Sequence, residues 1–180
     1  MNRRLSLHPH PDFASLATRT IEVELSRHGS SMLALRYLVR GNALLLPALE
    51  APRRTDGLWQ RTCFEAFLRG AGESYYEFNF SPSSQWASYS FSGHRAGMAD
   101  AAEAVPSRIQ TKKSDGLFEL EAEIALEPLH ARLGDVPWYL ALSAVIEDKN
   151  SVKSYWALAH PAGKPDFHDI ACFAEALPGA

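Results

Sequence analysis

Three features of the sequence predict an all-β protein, an antiparallel β-sandwich of the jelly-roll or immunoglobulin-like type. Apolar residues recur at every second position along most of the chain. Clusters of Gly, Pro, Ser and Asp interrupt these runs at short, regular spacing. Helical periodicity is almost absent, which leaves nine or ten short strands to build the core. With 180 residues, no repeat and no linker-like tract, the chain is expected to fold as a single domain over 1–180.

The strands follow in order. In 20–26, Ile21, Val23 and Leu25 alternate with Glu22, Glu24 and Ser26. A turn at His28-Gly29-Ser30 leads into 32–40, where Leu33, Leu35, Tyr37 and Val39 share one face and Arg36, Leu38 and Arg40 the other. Pairing both apolar faces inward sets Glu24 opposite Arg36. An apolar run at Leu44-Leu45-Leu46 and a Pro-rich loop precede strands at 62–69, 74–81 and 85–91. Residues 92–106 are Gly/Ala-rich and non-periodic, and read as a long loop of the kind that often carries function. In 117–126, Phe118, Leu120, Ala122, Ile124 and Leu126 face in, while Glu119, Glu121 and Glu123 face solvent. A short helix is expected at 127–133, after Pro128. The segment 138–147, WYLALSAVIE, is apolar on both faces, as in a central strand covered on both sides. A Pro/Gly-rich loop over 160–169 and a final strand near 171–177 close the chain.

Composition excludes several functions. The net charge is -3 and basic residues occur in scattered pairs, so the clustered footprint of a nucleic-acid binder is missing. No window approaches the ~20 apolar residues of a membrane helix. The opening MNRRLSLHPHPDF holds no apolar stretch of secretory length, so a cytoplasmic location is expected. Cys63 and Cys172 are then expected as reduced, packed side chains.

The informative stretch is 57–91, a three-strand meander. Side chains alternate across a strand. With Phe64, Ala66 and Leu68 inward, Cys63, Glu65 and Phe67 take the other face. With Tyr76, Phe78 and Phe80 inward, Tyr75, Glu77 and Asn79 face away. With Ala87, Tyr89 and Phe91 inward, Trp86, Ser88 and Ser90 face away. Glu65 is thus expected opposite Glu77 or Asn79, with Trp86 and Ser88 beside them. Paired carboxylate and amide groups suit vicinal hydroxyls, and aromatic rings suit the C–H face of a pyranose. The two carboxylates repel, and Arg95 and Lys153 are the candidate cations to relieve them.

The run Trp59, Glu65 and YYEFNFSPS (75–83), with Trp86 after it, resembles the DOMON-like superfamily. It is similar in particular to family-nine carbohydrate-binding-module-like domains. The later SVKSYWALAHPAGKPDFH resembles the closing segment of a stand-alone bacterial branch. The resemblance implies a jelly-roll-like sandwich that binds a saccharide between two tryptophans. It would make Trp59 one clamp, Trp156 the second, Glu65 a hydrogen-bonding carboxylate and Lys153 a polar partner. Other members of that superfamily bind haem through methionine and histidine; Met98, His94, His160 and His168 are the residues available for this here.

A small polar ligand, a saccharide first of all, is the partner expected, without catalysis and without a cofactor. Haem or a metal ion is the alternative, with His160, Asp166 and His168 the candidate metal ligands on one loop. A protein-interaction module is the third reading. Glu65 and Glu77 could also serve as the two carboxyls of a glycoside hydrolase. That chemistry needs a pKa raised in a buried pocket, which a sequence does not display.

Overall fold

The computed structural model describes residues 1–14, 17–29 and 31–177. Among these, twelve strands run antiparallel in one curled sheet. They are β1 (Asn2–Pro9), β2 (Thr18–His28), β3 (Met32–Gly41), β4 (Cys63–Arg69), β5 (Tyr75–Phe80), β6 (Trp86–Phe91), β7 (Ala99–Asp100), β8 (Pro106–Ser114), β9 (Leu117–Ala125), β10 (Trp138–Glu147), β11 (Lys153–Ala157) and β12 (Glu175–Leu177). The order across the sheet is β7-β6-β5-β4-β10-β11-β1-β2-β3-β9-β8, with β12 also on β10. Helix is confined to short turns, including α1 (His130–Leu133), which follows the 3-10 turn Glu127–Leu129.

The strand β1 turns this path into two layers. Its residues 2–7 pair with β2, and His8 and Pro9 pair with β11. The main core lies between the layers. Leu33, Leu35, Tyr37 and Val39 of β3 and Phe118, Leu120 and Ile124 of β9 meet Phe64, Phe78 and Phe80 of the other layer. Phe64 packs on Tyr37 and stacks on Phe118, with ring centroids 5.0 and 5.9 Å apart. The buried Tyr37 hydroxyl donates to the Glu65 carbonyl at 2.8 Å. That bond satisfies a polar tip inside the core and ties the two layers at the residue that carries the candidate carboxylate.

The expected β2–β3 register holds: Glu24 lies opposite Arg36, whose Nη1 donates to it at 3.1 Å. The same guanidinium also engages Glu119 and lies 3.5 Å from Glu121. Glu119, expected to be solvated, is buried by this contact. The edge strand β8 carries Arg108, Lys112 and Lys113, charges that discourage another strand from pairing there.

The second layer comprises β4–β7 with β10–β12, and its strands β4, β5, β6 and β10 are buried on both faces. Its outer face holds a second apolar cluster of Phe67, Tyr75, Tyr89, Phe91, Val145, Phe167 and Phe173. The strand β10 sits between β4 on one side and β11 and β12 on the other, as its two-sided apolar sequence predicts. Four strands escaped the sequence reading, among them the two-residue β7 inside the expected 92–106 loop. In β1 and β8, charged and polar residues hide the alternation; β11 is only five residues long. Of the terminal strand expected at 171–177, only Glu175–Leu177 is extended; Ile170–Cys172 form a 3-10 turn.

Candidate functional site

A cleft of about 540 Å³ opens on the outer face of the second layer. Glu65 of β4 and Glu77 of β5 are exposed to it from the sheet, with Val145 of β10 beside them. Tyr89 and Phe91 of β6 and Tyr155 of β11 add aromatic wall, and Phe13, Trp59 and Met98 reach it from loops. The segment 160–169 supplies Lys164, Pro165, Phe167 and His168, and Arg95 comes from the loop after β6. Trp59 sits on the 3-10 turn Leu58–Gln60, entered through Gly57 at φ 74°, a left-handed conformation that glycine adopts without steric cost. Its indole is 55% exposed, which is unusual for tryptophan.

The parity expected of β4 and β5 is observed. Glu65 lies opposite Asn79, Phe67 opposite Glu77, and the apolar partners of each strand point into the main core. Glu65 and Glu77 are therefore diagonal neighbours on one face. Both are almost wholly buried, at 4% and 6% exposure. Ser143 Oγ donates to Glu65 Oε2 at 2.9 Å. Asn79 Nδ2 donates to Glu77 Oε1 at 2.6 Å, and Asn79 Oδ1 in turn accepts a 3.6 Å contact from the Cys63 thiol.

Burial dominates the titration of this pair. It pushes Glu65 up to about 8, with the Glu77 charge as second cause and the Ser143 hydrogen bond opposing. It pushes Glu77 up to about 7 against the Asn79 hydrogen bond and the Arg95 charge. Two carboxylates this close in a poorly solvated floor do not both ionise readily.

A second network stands behind them. The Arg95 backbone N–H donates to the Tyr75 hydroxyl at 3.2 Å, and that hydroxyl lies 2.8 Å from His168 Nδ1. The other ring nitrogen, Nε2, lies 3.7 Å from Glu77 Oε2. That separation exceeds a hydrogen bond. Burial, and then the Arg95 charge, depress His168 to about 4, so it faces Glu77 as a neutral ring. Arg95 has φ 54°, a rare conformation for a side chain larger than glycine. Its Nε and Nη2 donate to Asp166 Oδ1 at 3.1 and 2.7 Å, and His94 lies 2.9 Å from Oδ2. Burial raises the Asp166 pKa, but these partners outweigh it and hold the carboxylate below its usual range. Asp166 thereby latches the 92–98 loop to the 160–169 loop over the cleft.

Several expected site residues lie elsewhere. Trp86 is on the opposite face of β6: it pairs with Phe80, and Ser88 with Phe78, whereas Tyr89 pairs with Glu77. The loop Ser81–Gln85, closed by Ser81 N–H to Gln85 O at 2.9 Å, sets this register. Since both faces of β6 are buried, hydrophobicity does not decide which side chains face the sandwich. Trp156 is also displaced from the expected clamp position. It is 3% exposed, packs in the main core, and donates Nε1–H to Ser154 Oγ at 3.0 Å. Lys153 lies opposite Glu147 at the far end of β11 and does not line the cleft. His160 Nε2 bonds the His8 carbonyl at 2.9 Å, away from Asp166 and His168. Among the described residues no three His, Cys, Asp or Glu groups converge as a metal site. Cys63 and Cys172 are free and buried, as expected. No helix among the described residues is long and apolar enough to cross a membrane.

Tyr89, Phe91 and Tyr155 are cleft residues that sequence reasoning missed. The signal for Tyr155 was present, because alternation along β11 puts it on the face opposite Trp156; an unrecognised strand offers no parity to apply.

No protein-family model matches this chain, and no curated protein matches it by sequence. Solved structures do. A Bacteroides uniformis protein provisionally assigned as carbohydrate-binding superposes over 95% of this chain and 84% of its own, at 13% identity and a TM-score of 0.73. A family 9 carbohydrate-binding module of Caldicellulosiruptor kristjanssonii, solved with cellotriose, covers 90% of this chain and 75% of its own, at 13% identity and TM-score 0.60. This chain has the fold of the family 9 carbohydrate-binding modules. A glucose complex of a family 9 module from the same organism gives a TM-score of 0.54 at 14% identity, with coverage of 83% and 71%. The family 9 resemblance of the 57–91 meander therefore extends to the architecture of nearly the whole chain. Identity this low carries the fold and leaves the ligand to the chemistry of the cleft.

Proposed function

We propose that this chain is a non-catalytic binding protein for a carbohydrate or sugar derivative, held in the cleft beneath Trp59. The observation that carries this reading is the carboxylate pair Glu65 and Glu77, with Asn79 behind it, set under an exposed indole. Carboxylate oxygens accept strong hydrogen bonds from sugar hydroxyls, and an indole or phenol ring offers flat apolar surface to a pyranose face. With Trp156 in the core, Tyr155 takes its place as the second aromatic wall. The fold shared with proteins solved around cellotriose and glucose supports the same class of ligand. Raised acid pKa values meet one need of a glycosidase, but Glu65 and Glu77 rise from one sheet face, whereas hydrolysis requires carboxyls flanking the bond.

The test is a binding screen of soluble glycans and muropeptides by calorimetry and tryptophan fluorescence. Trp59→Ala and Glu65→Ala are each expected to weaken the best saccharide about tenfold or more. Unchanged affinity in both variants for every saccharide that binds would place the site elsewhere. A haem reading is favoured by one observation only, the presence of both Met98 and His168 on this cleft. A Soret band in haem-reconstituted protein that vanishes in Met98→Ala would favour it over a saccharide.

A further inference from the structure

We infer that the ligand of this cleft carries a protonated amine, so that a saccharide bound there is an amino sugar. The amino-sugar form rests on the carbohydrate reading above; the cationic group does not. A carboxylate is an acceptor-only group with about four lone-pair sites. Glu65 and Glu77 each take one hydrogen bond, from Ser143 and Asn79. Among the described residues, Glu65 Oε1 takes none, and Glu77 Oε2 has only His168 Nε2 at 3.7 Å. Both side chains are more than nine-tenths buried, and both line the cleft. Two open carboxylate oxygens are therefore presented to one cavity.

Hydroxyl groups would satisfy the lone pairs but would not offset the cost of ionising the pair. A buried charge needs a counter-charge as well as hydrogen bonds. Among the described residues Arg95 is the one cation whose charge lowers both pKa values, and burial outweighs it. Arg95 spends Nε and Nη2 on Asp166. His168 is neutral, and Lys164 is exposed at the rim, where solvent screens it. Cys63, Tyr75 and Tyr89, the other titratable groups around the pair, are each pushed up and stay uncharged. The surrounding rings of Trp59, Tyr89, Phe91 and Tyr155 complete a setting suited to a cation, since ring faces attract positive charge. An ammonium group donates up to three hydrogen bonds and brings the missing charge. Its entry displaces the proton that the pair retains near neutral pH, so affinity rises from about pH 6 until the ligand's own ammonium begins to deprotonate.

The experiment is titration calorimetry of the full chain at pH 7 with glucosamine, N-acetylglucosamine, glucose and methylammonium, in two buffers of different ionisation enthalpy. Glucosamine is expected to bind about tenfold tighter than the two uncharged sugars, with net proton release. Glu65→Gln, folded by circular dichroism, is expected to abolish that preference; Glu77→Gln makes the same comparison should Glu65→Gln not fold. Methylammonium binding that depends on Glu65 or Glu77, with no sugar bound, would uphold the cationic ligand and overturn the carbohydrate reading. Equal affinity for glucose and glucosamine would overturn the amine and leave the carbohydrate reading standing. Absence of binding by all four probes would overturn both.

Discussion

Glu65 is anchored from both sides of its strand. Its carbonyl accepts from Tyr37 in the main core, and its carboxylate accepts from Ser143 on the cleft floor. The backbone is thus fixed by the sandwich while the acid group stays desolvated. The acid is raised from its ordinary 4.5 to about 8, so the folded chain holds a proton that the unfolded chain releases. Stability from this group is complete below about pH 4.5 and is lost as pH rises toward 8. Glu65→Gln, neutral at every pH, is expected to remove much of that loss, on the order of 1.4 kcal/mol for each unit of displaced pKa. Urea unfolding at pH 5 and pH 8.5 checks this: the variant should gain far more on the wild type at the higher pH. An equal difference at both values would mean that the carboxylate is not the titrating group.

Tryptophan shows how far one strand position can change a role. Trp59, at a turn, faces solvent and the cleft; Trp156, within β11, is sealed in the main core. Trp156→Ala leaves a large cavity and removes the indole N–H that Ser154 Oγ accepts, with an expected loss of about 3–5 kcal/mol. Trp59→Ala is expected to stay within about 0.5 kcal/mol of wild type. Thermal unfolding of the two variants separates a packing role from a ligand role, and similar losses in both would contradict the assignment of Trp59 to the cleft mouth. At the same scale, β6 marks where alternation stops being informative. Tyr89 and Phe91 look like core residues by hydropathy, and they are buried, but beneath the loops on the outer face. Ser88 takes an inward position instead, donating Oγ–H to the Ala101 carbonyl at 3.1 Å. The five-residue loop Ser81–Gln85 set the register, and hydropathy alone pointed the wrong way.

Across the whole molecule, β1 is the element that joins the layers. Its first six paired residues extend the β2 side, and its last two pair with β11. Leu7 is buried in the main core, a contribution of roughly 1.5–3 kcal/mol for an aliphatic side chain of this size. Deleting residues 2–9 is expected to lower the melting temperature and to expose the edges of β2 and β11, which then template self-association. Calorimetry with light scattering across protein concentrations measures both effects; a variant with unchanged melting temperature and mass would show that the layers hold without the shared strand. The cleft depends on the same architecture. Its floor is a sheet already backed by the main core, and its walls are loops latched through Asp166 to Arg95 and His94.

Local chemistry in the sequence determined the β class, the β2–β3 register and the shared face of Glu65, Glu77 and Asn79, because each follows from alternation along strands with one clearly apolar face. Tertiary structure decided the rest. A layer buried on both sides offers two apolar faces, so the orientation of β6 and the fate of Trp86 came from loop length. Trp156 was committed to the interior by pairing with Pro9 of β1, far away in sequence. The cleft exists because two distant loops close over one sheet, a proximity that no local pattern encodes.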